Sequence, residues 1–224
     1  MTVWMVSMQP ADFNREELLR FLGTPTLDEQ LSLKLEHCLE TLCQKMQPRQ
    51  IYRIFPLNWQ DEKPYLEKIP LEGNDIAKHL HGCTQVAVMA VTLSASVDAL
   101  IRSVQAQDMA EAVMLDAAAG SAVEYYCAQT EQEIVLRTDL PYHTERFSAG
   151  YGDFPLSIQG TLLRLLNAQR TIGLTVTQSN LLLPMKSVTA VIGLSSLPTQ
   201  DARRFGCGKS CVLCPQRDDC PFQQ

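Results

Sequence analysis

The chain has 224 residues, a hydrophobic fraction of 46% and a formal net charge of −6. Those values fit one globular domain, or one domain plus an appendage, and argue against nucleic acid, because neither the acidic balance nor any basic cluster offers a counter-charge to phosphates. No apolar run approaches the ~20 residues that span a bilayer, and the start of the chain lacks the basic region of a secretory signal, so a reduced, cytoplasmic setting is expected.

Residues 11–50 read as helical. A first amphipathic stretch carries Leu18, Leu19 and Phe21 on its apolar side and is broken by Gly23 and Pro25. From 27 to 46, Leu31, Leu35, Cys38, Leu39, Leu42 and Met46 recur at the helical period, with Thr26 or Asp28 placed to cap the start and Pro48 to end it. Residues 51–57 alternate and read as a strand. Residues 58–75 are polar and read as a loop. Residues 76–81 read as a short helical turn at the surface, whose His79 and His81 cannot face each other. Residues 85–93 form an uncharged run with Val86, Val88, Met89 and Val91, the pattern of a central strand buried on both faces.

Residues 96–105 and 108–129 read as helices, the second rich in Ala and Gly, which lets it lie close to its support. Residues 130–155 read as irregular. A helix over 156–171 carries Ile158, Leu162, Leu165 and Leu166 on one side and stops at Gly173. Two strands follow, 174–183 and 187–195, with Lys186 and Ser187 at their junction. The second strand presents Val188, Ala190, Ile192 and Leu194 on one face. This order has no repeat and no strict strand–helix alternation. It predicts an α+β domain over residues 1–200, with a mostly antiparallel sheet and segregated helices, followed by a cysteine-rich tail over 201–224.

Half of the eight cysteines stand in that tail. Cys38, Cys43, Cys83 and Cys127 lie in apolar stretches and read as core. Cys207, Cys211, Cys214 and Cys220 spell Cys-x3-Cys-x2-Cys-x5-Cys-Pro among polar residues. Thiolates packed so closely need positive charge between them. Disulfides fit neither the reduced setting nor a chain of this size. Structural zinc accepts four thiolates, but it is usually held by two Cys-x2-Cys knuckles, and here there is one. A compact run closed by Cys-Pro is a ferredoxin pattern, so a 4Fe–4S cluster is expected, with zinc as the alternative. The spacing Cys-x3-Cys-x2-Cys also belongs to radical enzymes that use S-adenosylmethionine. That reading is rejected, because the ten residues after Cys214 cannot form a barrel and a fourth thiolate would close the open iron site.

Residues 146–155 read Arg-Phe-Ser-Ala-Gly-Tyr-Gly-Asp-Phe-Pro. Arg146 is a fork of donors suited to a carboxylate. Gly150 and Gly152 admit positive φ and close approach of backbone to a ligand. Tyr151 offers an aromatic face to a cation. A small molecule with a carboxylate and a cationic centre matches this set, and S-adenosylmethionine is one. The competing reading is a structural salt bridge at Arg146 with glycines in ordinary turns.

The pattern Arg146-x3-Gly150-Tyr151, with Pro155 after it, resembles the S-adenosylmethionine-binding motif in the reactivation domain of cobalamin-dependent methionine synthase. Residues 162–170 look like the helix after that motif, 173–180 and 184–191 like the strands that follow, and 118–127 like the helix before it. The resemblance spans about residues 10–195. It implies that Arg146 holds the ligand's carboxylate, that backbone at Ala149 and Gly150 lines it, and that Tyr151 sits near the sulfonium or its docking face. Glu124 is the candidate acidic contact, against the alternative of a salt-bridged or solvated helix residue. It further implies reductive reactivation of a corrinoid protein in methionine biosynthesis, with S-adenosylmethionine as methyl donor and cobalamin supplied by the partner. The tail's cluster would then deliver an electron. Whether such a chain is itself an enzyme stays open, since the reacting cobalt belongs to the partner. The alternative is a non-catalytic docking module with a structural zinc site.

Overall fold

A computed structural model describes residues 7–198. The tail's Cys207, Cys211, Cys214 and Cys220 lie outside the described residues. The first helix, α1 (Arg15–Leu22), starts where the Asn14 side chain accepts the backbone N–H groups of Glu16 and Glu17, and ends at Gly23 with φ 68°. Helix α2 (Glu29–Lys45) is capped by Asp28, whose carboxylate accepts the Leu31 N–H at 2.8 Å.

Strand β1 (Arg49–Gln60) outruns the expected 51–57. Its first part pairs with β4 (Gln85–Thr92) and its last part with β2 (Lys63–Leu66), which in turn pairs with β3 (Ile69–Pro70). The expected loop over 58–75 is therefore corrected to a hairpin. Its tip is Asp61-Glu62, both at positive φ (47° and 63°), the backbone of a primed turn built without the usual glycine. Helix α3 (Asn74–Leu80) precedes β4; α4 (Ala95–Gln105) and α5 (Met109–Arg137) follow it. Helix α5 runs well past residue 129, because Thr130 and Ile134 are buried and tie its last turns to the sheet.

After the short β5 (Tyr142–His143), the expected helix over 156–171 becomes α6 (Gln159–Leu166) and α7 (Ala168–Thr171), broken at Asn167 with φ 53°. Gly173, at φ 73°, ends the segment as expected. The expected strand over 174–183 is a hairpin of β6 (Thr175–Val176) and β7 (Leu182–Leu183), turned where the Thr177 N–H donates to the Leu181 carbonyl at 2.8 Å. The last strand is β8 (Ser187–Ser195).

The main sheet has the order β3-β2-β1-β4-β8-β5, with every neighbouring pair antiparallel. Helices α1, α2, α4 and α5 cover one face, where Ala87, Met89, Val91, Ala190, Ile192 and Leu194 meet Leu39, Leu42, Leu115 and Tyr126. Helices α3, α6 and α7 cover the other, where Val86, Val88, Ala90 and Val191 meet Ile76, Leu80, Leu162 and Leu166. Strand β4 is thus buried on both sides, as its uncharged run implied, and β8 alternates between the two cores. Cys38, Cys83 and Cys127 are buried thiols and Cys43 is half-buried, none in a disulfide.

Candidate ligand-binding site

The segment leading into the 146–155 loop is held by β8. The Thr144 N–H donates to the Gly193 carbonyl at 2.9 Å, and the Gly193 N–H returns to Thr144 Oγ1 at 2.8 Å. Phe147 and Val191 exchange backbone hydrogen bonds, each 2.9 Å. Successive side chains of this extended segment point to opposite faces. Phe147 enters the core beneath α3 and α6, while Arg146 turns to α5.

There Arg146 meets two carboxylates. Its Nη1 lies 3.0 Å from Glu124 Oε2 and its Nε 3.2 Å from Glu131 Oε2. Glu124, Cys127 and Glu131 are three and four residues apart, so they form one stripe along α5. Burial pushes the Cys127 thiol up to about 12, against the pull of Arg146. Burial also raises the Glu131 carboxyl above its ordinary value, again opposed by Arg146. Burial alone would disfavour the Arg146 cation, but Cys127, Glu124 and Glu131 raise its pKa instead. The guanidinium stays charged and the carboxylates outnumber it.

Beyond Phe147 the chain folds into a tight turn. Gly150, at φ 93°, donates its N–H to the Phe154 carbonyl at 2.8 Å, and Tyr151 donates to Ser148 at 3.2 Å. The Gly150 N–H is therefore spent inside the loop, and what it can offer a ligand is close approach and its carbonyl. Gly152, at φ 53°, serves a different need: a Cβ there would lie 2.2 Å from Asp75 Oδ2 on α3. Phe154 is buried against Phe147, which also meets the Tyr151 ring edge-on at 6.2 Å. Tyr151 itself is 50% exposed, and Ala149 packs on the core at the loop's base.

The loop is supported by His79, whose expected surface position is corrected. It is 4% exposed, its ring lies 4.8 Å from Phe147, and its Nε2 donates to the Glu145 carbonyl at 2.9 Å. Its Nδ1 is buried without a hydrogen-bond partner among the described residues, and burial lowers its pKa, so it is a neutral packing group. Lys186 lies elsewhere, paired with Asp116 at 2.9 Å, and Ser187 bonds Thr92 at 2.7 Å. Lys186 borders a groove of about 470 Å³ between α1, α4 and α5, away from the loop.

The structure thus brings together Arg146 and Glu124, with Ala149, Gly150 and Tyr151 on the adjoining turn, and adds Glu131, which the sequence reading left in an irregular stretch. The heptad spacing from Glu124 through Cys127 to Glu131 was the available signal. Among the described residues no group of three or more His, Cys, Asp or Glu side chains is arranged to hold a metal, and no helix is long and apolar enough to cross a membrane.

No family model matches the chain, and no curated protein matches it by sequence. Its fold is similar to a crystal structure described as the MetH reactivation domain bound to AdoHcy, with a TM-score of 0.70 and 16% sequence identity. The match covers 92% of this chain and 80% of that one. The resemblance read from the 146–155 loop therefore holds for the architecture: this chain has the fold of the MetH reactivation domain.

Proposed function

We propose that the chain binds S-adenosylmethionine at Arg146, Ala149, Gly150, Tyr151 and Glu124 and serves in the reductive reactivation of a corrinoid protein. The observation that carries the reading is a conjunction. The fold is shared with a domain solved with AdoHcy, and on it an arginine, a half-exposed tyrosine and a glycine turn stand together at the β8 edge. The site's chemistry suits the ligand. A sulfonium amino acid carries two positive centres and one carboxylate, and the site carries one guanidinium among an excess of carboxylates.

S-adenosylmethionine supplies a methyl cation equivalent to cobalt(I) on the partner and leaves as S-adenosylhomocysteine. That transfer removes the small amount of cobalt(I) formed by an unfavourable one-electron reduction of cobalt(II) and so draws the reduction forward. The chain's own part is to hold the amino-acid end at Arg146, to close one side of the ligand with the 148–154 turn, and to present Tyr151 on the docking face. The partner is the corrinoid-binding module of a methionine synthase or related methyltransferase, which brings the cobalamin, together with a low-potential electron donor. The setting is cytoplasmic.

Cys207, Cys211, Cys214 and Cys220 are the donor set for a 4Fe–4S cluster, which supplies one-electron relay when bound. Four thiolates also accept zinc, the alternative, although a single Cys-x2-Cys knuckle suits it less well. With zinc the tail would be structural and the chain a docking module. The engagement of Arg146 by two glutamates favours that second reading, because a neutralised arginine is a poorer carboxylate receptor. A brown anaerobic preparation supports the cluster; a colourless one with stoichiometric zinc supports the module.

The test is anaerobic mixing of the full chain with a cobalt(II) corrinoid protein, a reductant and methyl-labelled S-adenosylmethionine. Label should reach cobalt faster with the chain than without it, and Arg146→Ala should remove the gain. Equal labelling in all three arms overturns the function.

A further inference from the structure

The segment that carries Arg146 does not follow β8 in simple register. His143 stands opposite Leu194, and Phe147 opposite Val191. Four steps lead from His143 to Phe147 and only three from Leu194 to Val191, so the segment holds one extra residue, a β-bulge. That residue decides which way the arginine looks. Residues opposite each other share a face of the sheet, and a slip of one residue exchanges the faces. Val191 lies in the core under α3, α6 and α7. Without the bulge, Arg146 would stand opposite Val191 and point its charge into that core. With it, Phe147 takes that place and Arg146 turns to α5.

His79 grips the chain on both sides of the arginine. Its Nε2 donates to the Glu145 carbonyl at 2.9 Å, and its ring lies 4.8 Å from that of Phe147. The same carbonyl accepts from Thr144 Oγ1 at 3.1 Å inside the bulge, so His79 is the hold that reaches it from α3. Packing explains only half of this arrangement. Burial keeps the ring neutral, and a carbonyl takes only a donor. The one ring proton therefore sits on Nε2, and Nδ1 is left bare in the core with no partner among the described residues. A phenylalanine would fill the same space without leaving an acceptor unsatisfied. What it could not supply is the N–H.

We propose that His79 is a positioning residue: by holding the Glu145 carbonyl and Phe147 it locks the bulge that aims Arg146 at the ligand. This rests on the reading of the site given above and deepens it. His79→Phe keeps a ring and loses the donor; His79→Gln loses the ring and keeps an N–H near the place of Nε2. S-adenosylhomocysteine is titrated calorimetrically into the full chain of each, prepared anaerobically. His79→Phe should bind about tenfold more weakly, the worth of one hydrogen bond, with a Tm close to that of the wild type. His79→Gln should recover most of the affinity although it packs less well and melts lower. A merely structural histidine would make affinity follow Tm.

Two measurements read the lock without ligand. In nitrogen–proton correlation spectra of the imidazoles, the signals missing from His79→Phe mark His79 and should place its proton on Nε2. Amide exchange should quicken at 145–148 in His79→Phe more than along β4. A proton on Nδ1, or unchanged exchange at 145–148, overturns the lock whether or not the wild type binds. Affinity that tracks Tm across the three proteins, or wild-type affinity in His79→Phe, overturns the positioning role and leaves the site standing. If the wild type does not bind S-adenosylhomocysteine, the reading of the site falls and the aim at a ligand with it, while the ligand-free signals still decide the lock.

Discussion

Asp153 caps Asn74, at the start of α3, from 79 residues away: its Oδ2 accepts the Asn74 N–H at 2.7 Å, and its Oδ1 accepts the Asp75 N–H at 2.9 Å. Gly73, the local cap position, has no side chain with which to do this, and at φ 125° it could not carry one, since a Cβ would meet Asp153 Oδ1 at 2.6 Å. Loop and helix are therefore one unit. The Asp75 and Asn74 amides hold the Asp153 carboxyl below its ordinary range. A depressed carboxyl pKa means stabilisation that is complete above the unfolded value and lost as pH falls through the folded one, here below about pH 4. Asp153→Ala should lower Tm by roughly a few degrees at pH 7, and the gap to wild type should close in acid. Asp153→Asn keeps an acceptor oxygen without the titration, so its Tm should lie between the two at pH 7 and follow pH less. Thermal unfolding of the three proteins from pH 7 to 3 decides it; a gap that persists in acid contradicts the capping role.

Gly152 makes the second joint of that unit. Its φ of 53° costs any other residue, and an added Cβ would lie 2.2 Å from Asp75 Oδ2 and 3.2 Å from Asp75 Cβ. Gly152→Ala combines a left-handed backbone cost of about 1–2 kcal/mol with that overlap. Asp75→Ala removes Oδ2 and Cγ but not Cβ. The double variant should recover the larger part of the overlap and keep the backbone cost. Urea unfolding of the two single variants and the double should therefore show stabilising coupling beyond about 0.5 kcal/mol. Simple additivity would mean that the 150–154 turn moves away from α3 and is not locked to it.

What could be read in the sequence was what local chemistry decides. Asp28 is a good cap wherever it stands, and the uncharged run at Val86–Val91 has no stable place but the middle of a sheet. Arg146, Gly150 and Tyr151 stood out through the resemblance of Arg146-x3-Gly150-Tyr151 to the reactivation domain's motif; as a bare pattern a salt bridge with turn glycines reads as readily, and the structure does pair Arg146 with Glu124 and Glu131. What escaped depends on distant partners. His79 is buried by Phe147 and the Glu145 carbonyl, 66 residues on. Glu131 escaped because residues 130–137 lack a clean apolar period. The helix persists there through tertiary contacts. Thr130 Oγ1 donates to Gln50 Oε1, Gln50 Nε2 donates to Glu133 at 2.6 Å, and Tyr52 donates to the same carboxylate at 3.1 Å.

That network carries a prediction of its own. Gln50 is buried, so Thr130→Val leaves its Oε1 without that donor at nearly constant volume. The cost should be about 1–3 kcal/mol, the scale of a buried polar group left unsatisfied. Because the same turns of α5 carry Glu131, amide exchange should also quicken across 130–137 more than across 112–123. A stability loss without that local signature would place the network's role in the sheet and not in the helix end.

Gly193 links the core to the site most directly. It pairs with Val86 in the sheet, exchanges two hydrogen bonds with Thr144, and leaves no room for a Cβ, which would lie 2.5 Å from Cys83 Sγ and 3.1 Å from Thr144 Cγ2. Its alanine variant should cost about 1–3 kcal/mol by overpacking. Relief can come from the core, at Cys83 or at Leu80, whose Cδ2 would lie 3.0 Å away, or from Thr144. If Cys83 yields, the damage stays in the core. If Thr144 yields, the segment that aims Arg146 shifts, and ligand affinity falls although the substitution is remote from the ligand. Cys83→Ala separates these outcomes, because it removes the closest overlap and leaves the Thr144 contact. Gly193→Ala/Cys83→Ala should regain most of the stability lost by Gly193→Ala, measured by urea unfolding. If the titrated affinity for S-adenosylhomocysteine returns with it, the strand and the site relax as one body; affinity that stays low while stability returns locates the strain at Thr144, which is bonded to Gly193 and stands two residues before Arg146.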